Sequence, residues 1–359
     1  MKKYIVLLII VVILPLFSLS VSAEGEADGY ISEFEDAVPE DFDGITEDRD
    51  ELIEMLSPRS LFTEIISVIA DGGGEVMSFF LRLVGCAILM AAAGLCHEKF
   101  TRHASAAVGV ICSLLIFDSL GSLFVTVEDT LTKISDFFAA LTPITVGITA
   151  LGGGVSGAGV QASGMYTALS LVGGLGGRIF MGISAFGLAM SLLSSLGNEG
   201  VSSITKGVKE LFGRITGIFT ALLTAAYSLQ TIIASAADSA AMRAAKYAAS
   251  GLIPIVGTTV AGAISTLTAG MSYAKGVVGG GAIAVIIYLA LAPLALLLLY
   301  RLALSVAVIF SDFTGSSAAS RIFSSYRFAL DMTVTVYSLS ALVYLFMIIL
   351  FIRIGATAI

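Results

Sequence analysis

The chain has 359 residues, of which 57% are apolar and only 13% are charged. Water-soluble domains carry roughly 25% charged residues, so this composition excludes an ordinary soluble enzyme. The net charge of −8 arises mainly in residues 24–54, which contain 14 acidic residues against the single basic residue Arg49. The rest of the chain is close to neutral and offers no basic surface for nucleic acid. The sequence therefore indicates an all-α integral membrane protein.

Residues 1–23 have the pattern of a cleavable signal peptide. Lys2 and Lys3 precede an apolar stretch, and small residues follow it up to Ala23. These are the n-region, h-region and cleavage site of a secretory signal. An uncleaved first membrane helix is the alternative. Both interpretations keep the lysines in the cytoplasm, so we expect the segment that follows to be extracytoplasmic.

Residues 24–77 form an acidic segment that we expect to be largely disordered. Its dense charge leaves too little apolar surface to offset the entropy cost of ordering the chain. From Thr46 to about Ala70 the apolar residues recur near helical spacing, which is compatible with an amphipathic helix on the membrane surface or against a partner. Asp71 and the three glycines after it are expected to form a hinge before the membrane domain, residues 78–359.

The membrane domain contains enough apolar sequence for seven or eight crossings. A helix needs about 20 apolar residues to cross the hydrocarbon core. The apolar stretches are Ser78–Cys96, Ala104–Val127, Phe137–Leu151, Met165–Leu196, Phe212–Ala236, Val277–Phe310 and Phe328–Ile352. Met165–Leu196 crosses once or twice, and the loop charges do not decide between these two topologies. The acidic stretch 128–136 is expected to be an extracytoplasmic loop.

Glycine clusters predict broken helices or re-entrant turns within these spans. Small residues let membrane helices pack closely, but runs of three glycines are denser than packing requires. Irregular backbone at membrane depth is tolerated where it is buried or lines a wet cavity. The expected hinges and helix breaks are Gly152, Gly153, Gly154, Pro254, Gly257, Gly279, Gly280, Gly281 and Pro293.

A short interfacial helix is predicted between residues 238 and 251. Asp238 can cap its amino end, and its length of about 18 Å is too short for a crossing. Arg243 and Lys246 share one face, where they would contact lipid headgroups or the carboxylates of a partner. An ordinary solvated loop helix is the alternative. The hydroxyl-rich stretch 252–274 suits a re-entrant segment or the wall of an aqueous passage.

Two charged residues lie deep within apolar spans. Asp118 and Arg178 are therefore candidates for a buried ion pair or for the lining of a cavity, because charge in hydrocarbon is costly and usually functional. Arg82 and Asp331 lie closer to the ends of their spans, where hydration accounts for them.

The sequence contains no constellation of residues that would support catalysis. Its two histidines, His97 and His103, lie in one loop, and their spacing does not place two metal ligands on one helical face. No phosphate-binding glycine loop followed by lysine is present. We therefore expect a non-enzymatic protein with no catalytic residues, no metal and no cofactor.

The order of these parts resembles the stage III sporulation protein AE family of polytopic membrane proteins. The resemblance covers about residues 78–359 and rests on Ala236-Ala237-Asp238, on Arg243-Ala-Ala-Lys246-Tyr247, on Gly251-Leu-Ile-Pro254-Ile-Val-Gly257, and on Lys275-Gly-Val-Val-Gly279. It implies a multi-pass protein of the mother-cell membrane that faces the forespore. There it would act as an assembly platform, or as part of the conduit, of the mother cell–forespore channel.

The resemblance also implies partners. These are other stage III sporulation membrane proteins, ring-forming extracytoplasmic proteins and a cytoplasmic ATPase, in a homo- or hetero-oligomer within the lipid bilayer. The residues themselves leave a second function open, which is a secondary transporter for a small solute with binding sites at broken helices.

Overall fold

The computed structural model describes residues 28–39, 58–95, 98–152, 154–195 and 257–353, together with scattered positions between 200 and 225. Every regular element in these parts of the chain is an α-helix, which confirms the all-α class. The helices are α1 (residues 28–37), α2 (Pro58–Gly94), α3 (Glu98–Leu151), α4 (Val155–Ser195), α5 (Gly257–Phe313) and α6 (Ser317–Arg353).

Within the described residues, four helical stretches are long and apolar enough to cross a membrane. They are Thr63–Gly94, His103–Leu151, Ala269–Phe313 and Ser317–Ile352. This is the composition expected of a membrane protein. The count of seven or eight crossings stays a prediction, since the stretch Phe212–Ala236 falls largely outside the described residues. The signal peptide at 1–23 also lies outside them.

Helix α3 joins two of the predicted spans into one element of 54 residues. The loop expected at 128–136 is wrong, because this stretch is amphipathic at helical spacing. Its apolar side chains, Val127, Leu131, Ile134 and Phe138, are all buried in the bundle. Asp129 and Asp136 lie on the opposite, exposed face. Burial of one apolar face is sufficient to keep an acidic stretch helical.

Helix α2 corrects the expected disorder and hinge in the acidic segment. It begins at Pro58, a favourable residue for the first helical position, and continues through Asp71 and the three glycines to Gly94. Gly72 lies directly against the side chain of Leu296 in α5, so its lack of a side chain permits close packing. Residues 28–37 are also helical, and the predicted boundary at residue 78 is not a break in the structure.

The glycine clusters differ in what they do. Helix α5 is continuous through Gly279, Gly280, Gly281 and Pro293, so the breaks expected there are wrong. Gly279 instead faces Ile352 of α6, which shows that the cluster allows close contact between helices. A proline is tolerated within a membrane-type helix where neighbouring groups satisfy the freed backbone.

At the other glycine cluster, α3 ends and α4 begins. The amide of Gly152 donates to the carbonyl of Ile148 at 3.0 Å, and that of Gly154 donates to the carbonyl of Thr149 at 3.0 Å. Gly257 is the first residue of α5. Gly153 and Pro254 lie outside the described residues.

A tight turn at Gly315, which is not among the turns predicted from the sequence, joins α5 to α6. Gly315 has a φ of 74°, and its amide donates to the carbonyl of Asp312 at 3.2 Å. The amide of Ser316 donates to the carbonyl of Ser311 at 2.9 Å. These two bonds define a Schellman cap, in which glycine takes the left-handed position without steric cost.

Contacts along the helices establish their directions. Gly72 contacts Leu296 and Phe79 contacts Tyr300, whereas Ser113 contacts Tyr326 and Ser135 contacts Tyr344. Residue numbers rise together in each set, so α2 is parallel to α5 and α3 is parallel to α6. The turn after Gly94 and the turn at Gly315 therefore lie at the same end of the bundle, which we call the turn end.

Candidate functional site: charged residues at one level of the bundle

An open groove with a volume of about 780 Å³ lies between α2, α3 and α5. Binding sites for small molecules have volumes of roughly 300–1,000 Å³. The polar side chains that line it are Glu75, Ser78 and Arg82 of α2, Asp118, Ser119 and Ser122 of α3, and Tyr300 of α5. The groove therefore presents both signs of charge on helices that are otherwise mostly apolar.

Arg82 holds α2 against α3 at this groove. Its Nη1 donates a hydrogen bond to Oγ of Ser119 at 3.0 Å. Ser119 in turn donates to the carbonyl of Leu115 at 2.9 Å, which fixes the hydroxyl so that its lone pair faces the guanidinium. A guanidinium carries five N–H donors, and the bond to Ser119 uses one of them.

Asp118 lies in the lining of the groove, and its side chain is exposed. Its position in an apolar span predicts a buried pair with Arg178 or a place in the lining of a cavity. The exposure of its carboxylate contradicts the buried half of that expectation, because the residue faces outward from α3. Arg178 belongs to α4, but its side chain lies outside the described part of the chain.

A second pair of charges joins α5 to α6. Arg301 forms an ion pair with Asp331, and their side chains are 46% and 29% exposed. Hydration near the end of its span is the prediction from sequence for Asp331, and Arg301 is not predicted as a site residue. The sequence does contain a pattern that could have predicted this pair. Two opposite charges lie on the apolar stretches on either side of a Gly-Ser turn. A tight turn between antiparallel helices places such residues at the same level.

These charges lie at one level of the bundle. Tyr300 precedes Arg301 on α5, and its ring packs against Phe79 of α2 with centroids 4.9 Å apart. Phe79 is about one helical turn from Arg82, which contacts α3. We call the set Arg82, Asp118, Arg301 and Asp331 the polar layer. It contains two cations and two anions from four helices.

A buried hydroxyl cluster lies between the polar layer and the turn end. Tyr326 of α6 donates to the carbonyl of Ser113 in α3 at 2.6 Å. Ser191 of α4 is hydrogen-bonded to the hydroxyl of the same Ser113. Both serines are fully buried, so this cluster joins three helices inside the core without access to solvent.

A second buried polar contact lies near the turn at Gly152. Thr149 of α3 donates to Oε1 of Gln161 in α4 at 2.7 Å, and Gln161 is 1% exposed. Within the described residues, no group of three or more His, Cys, Asp or Glu side chains could hold a metal ion. The contacts around Ser113 and Gln161 fix helices in place, and we assign them a structural role.

The predicted interfacial helix lies outside the described residues. Asp238, Arg243 and Lys246 therefore stay predicted contacts to a partner or to lipid.

Comparison with protein families gives a match to a family described as Stage III sporulation protein AE, over residues 50–357. Comparisons with curated proteins and with solved structures give no significant match. The matched region contains α2 to α6 and with them the whole polar layer. The chain therefore belongs to the stage III sporulation protein AE family.

Proposed function

We propose that this protein is a non-enzymatic membrane component of the channel complex between mother cell and forespore. It acts there as an assembly platform or as part of the conduit. The observation that carries the proposal is the family match over residues 50–357, which assigns the chain to stage III of sporulation. The four membrane-type helices agree with a multi-pass protein of the mother-cell membrane.

The polar layer supports a role in assembly. Arg82 and Asp118 are exposed on the outside of the bundle, although the adjacent helix surfaces are apolar. Charged groups at such a position are expensive in lipid unless they are hydrated or covered. Contact with other membrane proteins, with headgroups or with an aqueous conduit would satisfy them.

The proposed partners are other stage III membrane proteins, ring-forming extracytoplasmic proteins and a cytoplasmic ATPase. The amino-terminal segment would face the ring proteins, because the signal sequence directs it out of the cytoplasm. Arg243 and Lys246 would supply a basic face for a partner's carboxylates or for lipid headgroups.

The test is copurification of the full-length, affinity-tagged protein from sporulating cells. We expect the other stage III proteins to copurify and the double variant Arg243→Ala/Lys246→Ala to reduce their recovery while membrane insertion is unchanged. The matched control is Lys206→Ala/Lys209→Ala, which removes two lysines at the same spacing. Normal forespore development in a strain that lacks the protein would contradict the proposal.

The groove favours one alternative function, a secondary transporter. A site with both charge signs between three helices suits a small charged solute. Purified protein in proteoliposomes would then accumulate a solute with proton or sodium dependence, whereas a channel component would transport nothing in isolation. Cysteine-accessibility mapping at positions 206, 246 and 320 would give the number of crossings.

A further inference from the structure

We propose that the groove at Arg82 and Asp118 binds the headgroup of a zwitterionic phospholipid with a primary ammonium group, as in a phosphatidylethanolamine. This inference concerns the groove alone and holds whichever partners the protein has. It rests on the two charge signs of the lining, on the hydroxyls beside the cation and on the position of the groove along the bundle.

The cationic side of the groove fits a phosphate. Arg82 presents a planar guanidinium that can bind two phosphate oxygens at once, and its bond to Ser119 leaves the rest of the fork for a ligand to approach. Ser122 is exposed in the lining, one helical turn from Asp118. The bond that its hydroxyl donates to the carbonyl of Ser119 is long at 3.4 Å, so a ligand oxygen would be a better acceptor.

The anionic side of the groove fits an ammonium group. Asp118 of α3 and Glu75 of α2 are both exposed within the lining. A primary ammonium has three N–H donors and can reach carboxylates on two helices. A simple anion would meet two negative charges here, and a quaternary ammonium could not donate any hydrogen bond. The lining therefore selects a zwitterion with a primary ammonium.

The groove lies where the charged part of the bundle meets its apolar part. Between the groove and the turn end, residues 83–94 of α2 and 104–117 of α3 contain no charged residue. On the other side of the groove, α2 carries Glu64 and Asp71, and α3 carries the charged stretch 128–136. A headgroup belongs at such a boundary, because its chains are apolar and its phosphate is not.

Exposed aliphatic side chains continue from the groove towards the turn end. They are Leu89 on α2, two turns beyond Arg82, and Ile111, Leu114 and Leu115 on α3. Leu114 lies one turn from Asp118 on the same helical face. Acyl chains attached to a headgroup in the groove can therefore lie along these side chains, which a soluble headgroup could not use.

The experiment measures binding of short-chain phospholipids to the purified full-length protein in detergent. We expect the ethanolamine lipid to bind at least tenfold more tightly than the matching choline or glycerol lipid. Arg82→Gln and Asp118→Asn should each weaken binding of the ethanolamine lipid by about 10- to 100-fold, since each removes a hydrogen bond to a charged group. Ser122→Ala is a milder variant for the same measurement, with a smaller loss.

The matched controls are Arg321→Gln and Asp129→Asn, which make the same substitutions at exposed positions outside the groove. They should bind the ethanolamine lipid as the unmodified protein does. Equal affinity for the three lipids would overturn the proposal without any variant being needed. Soluble phosphoethanolamine that binds as tightly as the lipid would also overturn it, because the acyl chains would then contribute nothing.

Discussion

The ring of Phe34 packs directly on Gly281, so that a Cβ atom at this glycine would lie 2.6 Å from Cζ of the ring. Tyr30, one helical turn earlier in α1, occupies the corresponding position at Gly147 of α3, where a Cβ would lie 2.5 Å from the phenol oxygen. The Phe34 ring also faces that of Phe137 at 6.3 Å. Helix α1 of the acidic segment is therefore seated between α3 and α5.

Gly281→Ala is expected to displace α1 from the bundle. The added methyl group would overlap the Phe34 ring, and overpacking of this kind costs about 1–3 kcal/mol. Hydrogen exchange of residues 28–37 is the measurement, and it should become faster. Gly280→Ala is the control, because a Cβ there meets no atom of the described residues within 4 Å. Unchanged exchange in Gly281→Ala would show that α1 is not held by this contact.

Breaking the ion pair between Arg301 and Asp331 is expected to destabilise the bundle. Arg301→Gln removes the ionic partner of Asp331, whose side chain is only partly exposed, at a cost of about 1 kcal/mol. Asp331→Asn should have a similar effect. The double variant should lose less than the sum of the two, because it leaves no unpaired charge. Thermal unfolding in detergent measures these differences, and strict additivity would argue against a direct interaction.

Gly187→Ala is expected to separate α4 from α6. A Cβ at Gly187 would lie 2.8 Å from that of Ala329, so one helix backbone must move, at a cost of about 1–3 kcal/mol. The same substitution at Gly182, where a Cβ meets nothing within 4 Å among the described residues, should instead stabilise α4 by about 0.5–1 kcal/mol. Opposite shifts in unfolding temperature are therefore expected. A stabilising Gly187→Ala would refute the close approach.

Tyr326→Phe is expected to lower stability by about 1 kcal/mol. It removes the buried hydroxyl that donates to the carbonyl of Ser113, and a typical intramolecular hydrogen bond contributes that amount. Tyr166→Phe serves as the control, since Tyr166 is 63% exposed and its hydroxyl can bond to solvent. Chemical or thermal unfolding in detergent compares the two variants. Equal stability of both would mean that the hydroxyl cluster contributes nothing.

The sequence predicted the class of the fold because apolar composition and helical spacing depend on local residues alone. It failed at 128–136 and at Gly279–Gly281, where structure is decided by what lies opposite. An acidic stretch predicts a loop, but burial of its apolar side chains in the bundle keeps this one helical. A glycine run predicts a break, but Phe34 and Ile352 pack against these glycines within a continuous helix. Tertiary contacts of this kind cannot be predicted from the residues of one segment alone.

The candidate site was predicted in part for the same reason. Asp118 could be identified from the sequence because a charged residue within an apolar span is costly and usually functional. Its position beside Ser119 and across from Arg82 requires the register between α2 and α3, and the pairing of Arg301 with Asp331 requires the turn at Gly315. Neither the register nor the turn follows from composition.

Helices α3 and α5 contain 54 and 57 residues, so each forms a rod about 80 Å long. The hydrocarbon core of a bilayer is only about 30 Å thick, so a helix of this length that stands upright in the membrane must project far beyond it. The projecting portion would be the half of α3 that carries the acidic outer face. The helix itself would then carry the acidic stretch 128–136 well outside the bilayer.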